Sequence, residues 1–130
     1  MKATTKNTII NDLKKLLEKA EDLDWNYTIW NESDKRNYVE LSKYSPLGEY
    51  FSMIIDFDTK PPVLSFLDNL REYHMSFDPD EHAEMWIPKR GENGVPKSIR
   101  DLIDDAEDIE DMIWELWDVL TDYYKEINNY

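Results

Sequence analysis

The side chains most able to do chemistry in this chain are carboxylates, and they are concentrated near its end. Ten stand between Asp101 and Asp122: Asp101, Asp104, Asp105, Glu107, Asp108, Glu110, Asp111, Glu115, Asp118 and Asp122. No Lys or Arg appears between Asp101 and Tyr124. As a helix the stretch is about 33 Å long at about 1.5 Å per residue. Ten charges over that length lie roughly 3.3 Å apart, close to the phosphate spacing of one DNA strand, about 3.4 Å. Asp104, Asp108, Asp111, Glu115, Asp118 and Asp122 step by four and three, so they form one stripe along a helix. Glu107 and Glu110 widen it. Trp114 stands among these acids, off the apolar seam of the same helix.

Three readings of the stripe stay open: a solvated face whose charge serves solubility, an acidic docking surface, and a metal site. Like charges at these spacings repel by a few tenths of a kcal/mol per pair, and interspersed Lys would remove that cost. For Trp114 the expectation is cover from another element, such as the Lys-bearing first helix, since large aromatics are mostly buried. Left exposed, it would be a binding hot spot.

Other chemistries fail on residue type or spacing. His82-Ala83-Glu84 matches half of a zinc deaminase signature, but that chemistry also needs Pro-Cys-x-x-Cys, and the chain has no cysteine. His74, Asp78, Asp80, Glu81 and His82 fit neither His-Glu-x-x-His nor an EF-hand loop, which needs Gly where Ala83 stands. A helix-start acid cluster explains them. No phosphate-binding glycine loop, serine nucleophile motif or dinucleotide fingerprint is present. The expectation is a protein that is not an enzyme and that needs no cofactor or metal.

The 130 residues suggest a single domain spanning 1–130. The net charge of −14 is uneven. Residues 1–23 hold five Lys against four acids, whereas residues 101–130 hold one Lys against eleven acids. Direct binding of nucleic acid or an anionic membrane is disfavoured, and a basic protein is the permitted macromolecular partner. The absence of cysteine excludes disulfides and fits a reducing compartment. No apolar run is long enough to span a membrane. The opening MKATTKNTIIND lacks an apolar signal region, so a cytoplasmic location is expected. Nothing in the sequence sets the oligomeric state.

Periodicity supplies the elements. Thr5 or Asn7 can cap a first helix carrying Ile9, Ile10, Leu13, Leu16, Leu17, Ala20 and Leu23, ending near Asp22. Trp25–Trp30, Tyr38–Tyr44 and Tyr50–Phe57 read as strands. A polar turn over Asn31–Lys35 and the turn Ser45-Pro46-Leu47-Gly48 connect them. Tyr38, Tyr44 and Tyr50 can line one face of the sheet, by packing or by function. Val63, Phe66, Leu67, Leu70 and Tyr73 mark a second helix. Asp78-Pro79 starts a short third helix running to about Ile87. Ser98 and Asp101 have capping-box spacing, opening a last helix with the seam Leu102, Ala106, Ile109, Ile113, Leu116, Leu120, Tyr123 and Ile127. The fold expected is α+β: a three-stranded antiparallel meander with helices on one face, in the order α-β-β-β-α-α-α.

Three stretches carry a resemblance: Tyr44-Ser45-Pro46-Leu47-Gly48-Glu49; Phe77-Asp78-Pro79-Asp80-Glu81-His82 with Trp86; and Gly94-Val95-Pro96 followed by Leu102 and Asp105-Ala106. Together they resemble small acidic uncharacterised proteins of gut-bacterial mobile elements, over roughly the last two thirds of the chain. The element order also looks like that of an acidic phage inhibitor of the Cas9 nuclease, a DNA mimic. This second likeness is one of architecture without a shared motif. It implies a non-catalytic protein of anti-restriction or anti-CRISPR type that blocks a basic nucleic-acid-binding groove, and the spacing of the acidic stripe supplies the candidate partner-binding residues Asp104, Asp108, Asp111, Trp114, Glu115, Asp118 and Asp122. The alternative is an acidic adaptor or self-associating module.

Overall fold

The apolar spacing of the first helix becomes burial. In a computed structural model, α1 (Lys2–Glu21) places Leu13, Leu16, Leu17 and Ala20 in the core. The structure describes the backbone of residues 2–32, 36–59 and 61–128, and the side chains of 11–31, 36–59 and 61–128. Thr5 and Asn7 lie within α1, so neither is its cap. The side chains of Ile9 and Ile10 and most of the Asn31–Lys35 turn lie outside the described residues. α1 ends one residue before Asp22. The Ala20 carbonyl accepts from the N–H of both Leu23 and Trp25, at 3.0 Å each, and Asp24 takes φ 69°. Asp tolerates that left-handed turn better than a branched residue would.

The sheet contains β1 (Asn26–Glu32), β2 (Arg36–Tyr44) and β3 (Tyr50–Asp56), in that spatial order. Both pairings are antiparallel, with Trp30 opposite Tyr38 and Tyr44 opposite Tyr50. Period-two alternation sends Val39, Leu41, Phe51, Met53 and Ile55 into the core. The other face is open, leaving Trp30, Tyr44, Tyr50 and Ile54 exposed. Ser45-Pro46-Leu47-Gly48 closes the β2–β3 turn. The Gly48 N–H donates to the Ser45 carbonyl at 2.9 Å, and Gly48 takes φ 96°, where a Cβ would be strained.

The remaining helices are α2 (Pro62–Ser76), α3 (Pro79–Glu84) and α4 (Ile99–Ile127), with a single 3₁₀ turn at Ile87–Lys89. Pro62 opens α2 at a position where a missing N–H costs nothing. The Asp78 carboxylate accepts from the N–H of Asp80 and Glu81. Ser98 Oγ accepts from the Asp101 N–H and caps α4. The expected element order and α+β class are therefore the observed ones. α3 stops at Glu84, short of the expected Ile87, where the tighter 3₁₀ turn around Pro88 takes over. Leu102, Ala106, Ile109, Ile113, Leu116 and Leu120 are buried as the seam requires, but Ile127 is exposed at the end of α4. Among the described residues no helix is long and apolar enough to cross a membrane.

Candidate functional site

α4 must turn its apolar seam inward, so the acids, nearly half a turn away round the helix, face out. Asp104, Asp108, Asp111, Glu115, Asp118 and Asp122 are all exposed. Among the described residues none of the six stripe carboxylates forms a salt bridge with Lys or Arg. Lys14, Lys15 and Lys19 of α1 are placed elsewhere. They surround a depression shared with Glu18, Glu21 and Asp22, and Lys19 Nζ sits 4.9 Å from the Tyr123 ring centroid.

Asp105 departs from the run of ten. It is 6% exposed, and its carboxylate accepts from Ser45 Oγ at 2.7 Å and from the Leu47 N–H at 3.0 Å. Ser45 Oγ in turn accepts from the Glu49 N–H at 2.9 Å. A buried carboxylate thus holds the β2–β3 turn onto α4. Its spacing from Leu102 and Ile109, three and four residues, puts it on the seam. An acid at seam spacing was the available signal of this role, and sequence reasoning passed it over.

Trp114 lies toward α2, not under α1 as expected, and is 46% exposed. Its ring stacks on Trp117 with centroids 5.2 Å apart and tilts against His74 at 5.5 Å. The Arg71 guanidinium lies 5.1 Å from the Trp117 centroid, and Trp117 Nε1–H donates to the Leu67 carbonyl at 3.2 Å. An aromatic cluster fixed by α2 therefore borders the acidic row. His74, weighed from the sequence only as a metal ligand, takes part in it, and so does Trp117, which the sequence pattern did not single out.

A second grouping forms where β3, α3 and α4 meet. His82 Nε2–H donates to both Glu49 carboxylate oxygens, at 2.8 and 3.1 Å. The imidazole packs against Phe51 and Phe77. Beside it a cleft of about 160 Å³ is lined by Leu47, Tyr50, Trp86, Val95, Leu102 and Asp105, among others. Ala83, Leu102 and Ala106 form a small apolar cluster beneath, with Trp86 and Val95 packed on it.

No known protein family, curated protein or solved structure matches the chain. Ser45–Glu49, Asp78–Trp86, Gly94–Pro96 and Leu102–Asp105, far apart in sequence, converge on this one end of the fold. The grouping is bound together by hydrogen bonds and apolar contact. Among the described residues no three His, Asp or Glu side chains are placed to hold a metal ion. His74 faces Trp114, His82 faces Glu49, and the Asp78 carboxylate caps α3, so these acids and histidines do not converge. Burial raises the phenol of Tyr73 above its ordinary value. Tyr27 shifts the same way through burial and then the nearby charges of Glu21 and Glu18.

Proposed function

We propose that this is a non-catalytic acidic binding protein that enters a basic nucleic-acid-binding groove of a partner, with the α4 carboxylates in place of phosphates. The observation that carries the reading is the exposed row Asp104–Asp108–Asp111–Glu115–Asp118–Asp122 on one helix, with no salt bridge to it among the described residues. A row of fixed negative charge, rising about 1.5 Å per residue, complements a groove built to track a phosphate backbone. Trp114 supports the same reading, because a half-exposed tryptophan held beside the row supplies the apolar anchor such interfaces use. The function would be of anti-restriction or anti-CRISPR type and would be exercised in the cytoplasm.

The test is charge reversal at Asp111, Glu115 and Asp118 to Lys. Host-lysate proteins are captured on the immobilised parent at low salt, then challenged with salt and with duplex DNA. Basic proteins should be released by both, since DNA and α4 would occupy the same Lys and Arg groups. The triple variant should fold yet fail to capture them. Capture by the variant equal to the parent's, or retention in excess duplex DNA, refutes mimicry and leaves the acids a solubility role.

A further inference from the structure

We infer that the free edge of β3 is a docking site for an extended, basic segment of a partner protein, taken up as a fourth strand. The reading rests on a surface separate from the α4 row. Among the described residues β3 pairs only with β2, which leaves one of its edges without a strand partner. Hydrogen-bond parity identifies the groups concerned. The Phe57 N–H donates to the Asn37 carbonyl and the Ser45 N–H to the Glu49 carbonyl. In this register the bonded pairs on β3 are therefore the odd-numbered residues. The N–H and C=O groups of Tyr50, Ser52 and Ile54 point away from β2. Of the outward groups further along, the Asp56 carbonyl is taken by Asn69 Nδ2 at 2.7 Å.

Edge strands are usually blunted by Lys, Pro, a bulge or a cover. The stretch Tyr50-Phe51-Ser52-Met53-Ile54-Ile55 has no charge, Gly or Pro. Its first half, Tyr50 to Ser52, lines an open groove of about 410 Å³ whose other wall is Tyr73, His82, Met85, Trp86 and Lys89. Met85 is 62% exposed. An added strand would bond the β3 backbone and send alternate side chains into this groove. Charge selects the occupant. Exposed Asp56 stands at the far end of the edge, and Glu81 and Asp78 stand beside the adjoining depression, against the single cation Lys89 among the described residues. A second copy of the chain would bring another −14, whereas a basic segment relieves the charge.

The probe is an N-acetylated, C-amidated ten-residue peptide alternating Lys and Val. Its control is the same peptide N-methylated at every residue, which keeps charge and side chains but leaves neither edge an N–H to pair with β3. Amide exchange is followed residue by residue in physiological salt. At about nine-tenths occupancy the Ser52 and Ile54 amides should exchange about tenfold more slowly, and the methylated peptide should leave them unchanged. Ile54→Pro removes an N–H that serves no bond within the sheet and should abolish the protection. If that variant does not fold, the methylated peptide decides alone. Equal protection by both peptides, perturbation confined to α4, or no slowing at millimolar peptide overturns the inference. So does protection of Ser52 and Ile54 in a self-associated form of the free protein. The α4 triple variant should still take up the peptide, so failure here is distinguishable from failure of the proposed function.

Discussion

Replacing Asp105 by Ala should cost far more than any other single change among the ten clustered acids. Its carboxylate accepts two hydrogen bonds, from Ser45 Oγ and the Leu47 N–H. Hydrogen bonds to charged groups contribute about 1.5–3 kcal/mol each. Leu47 is itself 47% exposed, so water can reach its N–H once the acid is gone. That places the expected loss near the lower bound for two bonds, about 3 kcal/mol. For a chain of this size the melting temperature should fall by about 10–15 °C. Asp105→Asn keeps the shape. Its amide oxygen can accept from Leu47 while its NH₂ donates to Ser45 Oγ, so roughly half the loss should return, as neutral bonds are about half as strong as charge-assisted ones. Urea unfolding followed by circular dichroism gives the magnitudes. A double-mutant cycle with Ser45→Ala should give coupling of about 0.5–3 kcal/mol. Exchange of the Leu47 amide should quicken in Asp105→Ala before global unfolding. A loss under about 0.5 kcal/mol, as at ordinary surface sites, with Leu47 exchange unchanged, would refute the reasoning.

Ile113→Ala and Leu116→Ala, both at fully buried seam positions, should each destabilise by about 2–5 kcal/mol. Denaturation midpoints showing losses near zero would mean that α4 does not bury this face. Tyr73 predicts an alkaline effect. Its phenol is raised above 10.0 by burial, so the folded form resists ionisation that the unfolded chain accepts. That contribution is intact below pH 10 and is lost as pH rises past it. Tyr73→Phe should flatten the decline in stability above pH 10, and an identical decline in parent and variant would refute it.

The elements were legible because each obeyed its own period. Leu13, Leu16, Leu17 and Ala20 recur at three and four, Phe51, Met53 and Ile55 at two, and both patterns became burial. Helix starts were legible where the capping side chain was local, as at Asp78 and Ser98. What stayed hidden depended on contacts between distant segments. The His82–Glu49 bond joins positions 33 residues apart and exists only because α3 folds back onto β3. Trp114 was misplaced because helical spacing gives its direction from α4 but not which neighbour stands there. α2 stands there, bringing His74. Asp105 was misread for a different reason. Counted among acids it looks like charge, and only its seam position marks it as a buried bond.

That contrast bears on what the exposed acids are for. Adjacent members of the α4 row repel by a few tenths of a kcal/mol each, a total of about 1–2 kcal/mol over the five steps. A buried seam side chain contributes about 1.5–3 kcal/mol, and α4 has several. The helix therefore tolerates the row without benefiting from it. Asp105 returns its cost in hydrogen bonds, whereas among the described residues Asp104, Asp108, Asp111, Glu115, Asp118 and Asp122 form no salt bridge. Solubility alone would be served as well by mixed charge at lower strain. A row of one sign on a helix that gains no stability from it makes physical sense when its counter-charges are supplied by another molecule.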